Sequence, residues 1–142
     1  MAAASRLNKL DCVGADGVHR EFLWRVEKAL FEEKWTFRVE TQAATTSGDA
    51  FELAVELLED RADTVRVIMM HHYGHPEYKA KGIPDALLPL VRQYLGKNVE
   101  SSPSRGDTTG VYRTPAATRV WERLKAAGLA DYDPKRDVYS LR

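Results

Sequence analysis

The sequence predicts an α/β chain of the α+β kind: a mixed, largely antiparallel central sheet flanked by helices. Three observations predict it. Apolar and polar residues alternate with period two in several runs before His72. Two later segments open on proline and carry apolar residues at three- and four-residue steps. The chain closes on a hairpin pattern, "LADYDPKRDVYSL".

Taken in order, Leu10 to Val13 reads as a short strand ended by the turn "GADG". "HREFLWRVEKALFEEKW" places Phe22, Val26, Ala29 and Leu30 at helical spacing with charges around the rest of the circle, and predicts an amphipathic helix. Period two then takes over in "WTFRVETQ", and the polar "AATTSGD" supplies a turn. "AFELAVELLED" has helix-favouring residues, but its four alternations at Phe51, Leu53, Val55 and Leu57 fit a strand better. The β-branched "TVRVIMMHH" is the next strand, ending near His72. Pro84 suits the first turn of a helix striped by Leu87, Leu88, Val91 and Leu95 and stopped by Gly96, with Pro89 as an interior irregularity. "KNVESS" is a short strand and "PSRGDTTG" a loop. Thr114 and Pro115 cap a last helix through Ala117, Val120, Trp121 and Leu124, which Gly128 stops.

A chain of 142 residues is one domain by length, able to bury its own core. With 21 basic and 21 acidic residues it has no global field for nucleic acid or an anionic membrane, so any anion site must be local. The single Cys12 forms no internal disulfide, "MAAASRLNKLD" lacks the apolar core of a secretory signal, and no apolar run nears the ~20 residues that span a bilayer. A cytoplasmic protein without membrane contact is the expectation.

The candidate site is the loop "GHPEYKAKGIP", Gly74 to Pro84, which brings two lysines and a glycine to a helix start. Backbone amides and cations gathered there are suited to a phosphate group. The loop and the element order together resemble the GCN5-related N-acetyltransferase superfamily, whose members splay a central pair of strands and hold coenzyme A between them. The resemblance implies acetyl-CoA as cofactor and a primary amine, on a small molecule or a protein, as acceptor. It assigns the pyrophosphate to Lys79, Ala80, Lys81, Gly82, Ile83, Asp85 and Ala86, and the pantetheine arm to strand amides at Met70 and His71. His72 is the candidate general base and Tyr112 the candidate acid for the departing thiolate. Two positions depart from the family pattern. Pro84 lacks the N–H expected in its slot, and Trp121 stands where family members often carry a tyrosine, leaving Tyr112 or Tyr132 as substitutes.

Other readings use other residues. "HHYGH" invites a metal, but His71 and His72 would point to opposite faces of a strand, and no metal is expected. Glu40, Glu52 and Glu56 read as the wet face of a sheet, and no His or Asp pattern supports Ser101 or Ser102 as a nucleophile. The C-terminal segment alone looks like the end of a winged helix with Lys135 and Arg136 at the wing tip, and carries nine basic against six acidic residues from Lys97 to Arg142. A long connection between the last two helices makes nucleic acid the runner-up. A catalytically inactive module of the same fold is the closer alternative. Pairing of edge strands into a homodimer is the remaining partner expectation.

Overall fold

Alternating side chains between residues 9 and 71 build a meander of five antiparallel strands: β1 Lys9–Val13, β2 His19–Lys28, β3 Lys34–Glu40, β4 Phe51–Leu57 and β5 Thr64–His71. A 3-10 turn at Pro76–Tyr78 leads into α1 Ile83–Leu95, followed by β6 Asn98–Glu100, α2 Pro115–Ala126, β7 Ala130–Asp133 and β8 Val138–Leu141. The structure, a computed structural model, describes residues 8–41, 49–105 and 110–142. The expected turn at "AATTSGD" and the middle of the "PSRGDTTG" loop fall largely outside those residues. The strands form one eight-stranded sheet in the order β1-β2-β3-β4-β5-β6-β8-β7, an α+β architecture. Among the described residues only β5 and β6 pair in parallel, across the α1 crossover.

The segment expected as the first helix is β2. Phe22 and Val26 satisfy both periodicities, because a spacing of four is two pleats of a strand as well as about one helical turn. What decides is pairing on both sides: Leu10 opposes Phe22, and Val39 and Phe37 oppose Trp24 and Val26. Cross-strand contacts override a modest helix propensity. Leu30, placed on the buried stripe of the expected helix, lies instead in the β2–β3 connection and is 88% exposed.

The other elements follow their expected devices. Thr114 Oγ1 accepts the N–H of Ala117 at 3.1 Å to cap α2, and Gly96 ends α1 in the left-handed conformation. Pro84 sits at the second helical position, one later than expected, and α1 continues through Pro89. Ile83, Leu87, Leu88 and Val91 of α1 and Val120, Trp121 and Leu124 of α2 join Val65, Val99 and Tyr139 in one apolar cluster, so both helices cover the same face of the sheet. The opposite face carries ion pairs: Arg25 with Glu40, Arg38 with Glu52, Arg66 with Glu56, and Arg61 and Arg136 with the buried Glu100. Glu40, Glu52 and Glu56 are thus partnered residues of a polar sheet face, as the plain reading of their alternation held.

Candidate functional site

The loop that raised the phosphate question is held rigidly. Tyr78, buried at its centre, donates its hydroxyl to the Asp49 carbonyl at 2.9 Å and accepts the N–H of Thr41 at 3.2 Å. Its other support is the β1–β2 hairpin: the Ala15 N–H donates to the Ala80 carbonyl at 3.0 Å, and Gly82 lies against Val13. Gly82 adopts φ +78°, and a Cβ there would stand 2.0 Å from the Val13 carbonyl oxygen. Glycine is therefore required by backbone packing, whatever ligand the loop receives.

The N–H groups of Ala80, Lys81, Gly82, Ile83 and Asp85 meet no acceptor among the described residues. Ala86 differs from expectation, because its N–H closes the first helical turn on the Gly82 carbonyl at 3.2 Å and is not free for a ligand. Pro84 removes a donor that would otherwise have been one of the unpaired groups at a helix start. The Asp85 carboxylate, a competitor for phosphate, turns to α2, where both of its oxygens accept from Arg123 at 2.9 and 2.8 Å. Arg123 is thereby brought to the same opening. This cleft, about 260 Å3, is lined by Lys79, Lys81, Arg119 and Arg123 and by no carboxylate among the described residues. Arg119 and Arg123 were missed in the sequence. Their signal was a basic pair four residues apart on α2, beside the small Ala116.

A second cleft opens where β5 and β6 separate. Their parallel ladder lasts three residues, Thr64–Arg66 against Asn98–Glu100, and its last link is the Ser102 hydroxyl donating to the Val67 carbonyl at 2.6 Å. Just beyond, β5 carries a bulge: Val55 pairs with Val67 and Ala54 with Met69, leaving Ile68 unpaired. The opening is about 290 Å3 and reaches from Val67 to His71 on one side and from Gly110 to Ala117 on the other, with Trp121 at its wall. Met70 and Ala117 border both clefts, which therefore adjoin.

The two histidines are held alike. His71 Nδ1 accepts the N–H of Tyr73 at 2.6 Å, and His72 Nδ1 accepts that of Gly74 at 2.9 Å. A neutral imidazole in that bond carries its proton on Nε2, so each ring offers a donor. His71 faces the separated strands and His72 the basic cleft. His75 stands apart near Asp49 and Glu77, and no group of three metal-ligating side chains exists among the described residues.

Of the tyrosines, Tyr112 lines the second cleft and is half exposed. Tyr132 donates its hydroxyl to Asp137 at 2.7 Å, a bond that raises its pKa and commits its proton. Trp121 is buried and stacked on Tyr139, whose own hydroxyl goes to Glu122. The wall from Gly110 to Thr114 is fixed by Arg113, a residue that sequence reasoning passed over. Its buried guanidinium donates to the Ser102 and Asp137 carbonyls, both at 2.9 Å, to the Asp137 carboxylate at 3.0 Å and to Thr118 Oγ1 at 2.7 Å. Asp137 is held well below the usual carboxylate range by hydrogen bonds from Ser104, Tyr132 and Arg113.

The site is therefore a basic, amide-lined mouth beside a largely apolar gap between two parallel strands. No family model matches the chain. No curated protein and no solved structure matches it either.

Proposed function

We propose that the chain is an acyl-CoA-dependent N-acyltransferase with a fold of the GCN5-related type. One observation carries this reading: Lys79, Lys81 and Arg119 and the unpaired amides of Ala80, Lys81 and Gly82 line a cleft, with Arg123 paired to Asp85 at its edge, and that cleft adjoins the gap between two parallel strands. A diphosphate fits the mouth and a thioester arm the gap behind it. The sheet order and the α1 crossover between the diverging strands support the same fold type. The β2 strand, where a helix was expected, is its departure.

In this reading Lys79, Lys81, Arg119 and the amides of Ala80, Lys81 and Gly82 hold the diphosphate, and Met70 and His71 flank the arm. A neutral amine attacks the thioester carbonyl carbon, a C–N bond forms, and the C–S bond breaks. The amine nitrogen sheds a proton to water and the coenzyme thiolate takes one, for which the Tyr112 hydroxyl is the candidate donor. With Nδ1 occupied, His72 serves as a donor to the ligand in place of the base first assigned to it, and His71 is the donor available to the developing oxyanion.

Titrating acetyl-CoA during thermal unfolding tests the reading. At ~100 times the dissociation constant, linkage gives about 2.7 kcal/mol, a shift of a few degrees in a domain of this length. No shift at millimolar ligand removes the proposal. Binding without transfer to any of a panel of amines favours the inactive module, which the absence of a hydroxyl at Trp121 supports. The winged-helix alternative has less behind it, because β8 pairs with β6 inside the sheet and Arg136 is bonded to Glu100 at 2.8 Å.

A further inference from the structure

We infer that the gap between β5 and β6 takes an apolar acyl group longer than acetyl; the inference rests on the acyltransferase reading and adds the class of donor. The polar side chains in the depth of that gap are already used within the protein. Ser101 Oγ donates to the Ser102 carbonyl and accepts the Tyr139 N–H, each at 2.9 Å. Ser102 Oγ donates to Val67, and Arg113 is bonded as described above. A ligand's polar groups would find few partners there, and a cationic one would meet no carboxylate among the described lining residues. The apolar part of the wall is Val67, Ile68, Met70, Ala117 and the Trp121 ring, with His71, Tyr112 and Thr114 also lining the gap. Met70 is unbranched and adapts to chains of differing length.

Because Met70 and Ala117 border both clefts, a thioester anchored by its phosphates in the basic mouth would deliver its acyl chain here.

The test is the affinity of coenzyme A and of its acetyl, butyryl, hexanoyl and octanoyl thioesters, measured by calorimetry on the full chain. Affinity should rise about two- to fourfold for each added methylene until the gap is full. Met70→Trp, which narrows the gap from the sheet face that carries the helices, should bring the octanoyl-to-acetyl ratio down to about one. Equal affinity across the series, or weaker binding beyond acetyl, overturns the inference and leaves the coenzyme reading standing. Failure of coenzyme A and every thioester to bind overturns both.

Discussion

Gly82 shows how one hydrogen atom can decide a local path. Its left-handed backbone and its contact with the Val13 carbonyl leave no room for a methyl group. Gly82→Ala should cost ~2 kcal/mol or more in urea unfolding, since backbone strain and a steric clash add. Loss of ligand binding in that variant would report a displaced hairpin as much as a lost phosphate contact, so Lys81→Ala and Arg119→Ala are the cleaner probes. Each should weaken coenzyme A binding severalfold, more so at low salt. Arg113 is the other residue with disproportionate reach: Arg113→Met should cost about 1 to 3 kcal/mol, because it leaves the carbonyls of the buried Ser102 and of Asp137 without their donor and frees the wall of the second cleft. Titration reads out the interior from a different side. Burial pushes the Cys12 thiol from 9.0 up to about 11, and burial with the Glu122 bond pushes Tyr139 from 10.0 up to about 12. Both groups are neutral when protonated and hold their protons longer in the folded state. Their contribution is therefore complete below about pH 9 and is lost as pH rises through 11 and 12, visible as a falling melting temperature.

Among the elements, the two helices were legible because their signals are local. Proline at the start, an apolar stripe and a terminal glycine suffice for α1, and a threonine cap does the same for α2. Thr114→Ala should lower stability by about 1 kcal/mol. Leu87→Ala, in the fully buried stripe, should cost about 2 to 5 kcal/mol in the same unfolding assay. Strands β3 and β4 were legible from their alternation, and β5 from its β-branched run. β2 was not, since the evidence that it is a strand lies in β1 and β3, and pairing partners are invisible from within a segment. The site divides along the same line. Its glycine, proline and lysines are contiguous, so the loop could be read. Arg123 reaches Asp85 across 38 positions, and Arg113 acts on residues 24 positions away, contacts that only folding creates. The free amide expected at Ala86 failed for a related reason, because hydrogen bonding within the helix start claimed it first.

For the molecule as a whole, the asymmetry of the sheet sets the site. One face carries both helices and the apolar cluster, while the other is held by charge pairs over polar side chains. The sheet is continuous except where β5 and β6 separate, so the gap is the place at which the two faces communicate. No helix among the described residues is long and apolar enough to cross a membrane. The ion-paired face adds little to stability where its partners are exposed, and unfolding should shift only slightly between low and high salt.

The edge strand β1 has, among the described residues, a partner on one side only, yet its end braces the loop through Val13 and Ala15. A margin so placed frays readily, and the mouth must loosen with it. Deuterium uptake at the amides of residues 13 to 15 should consequently slow when the mouth is filled, making this remote splint a gauge of occupancy.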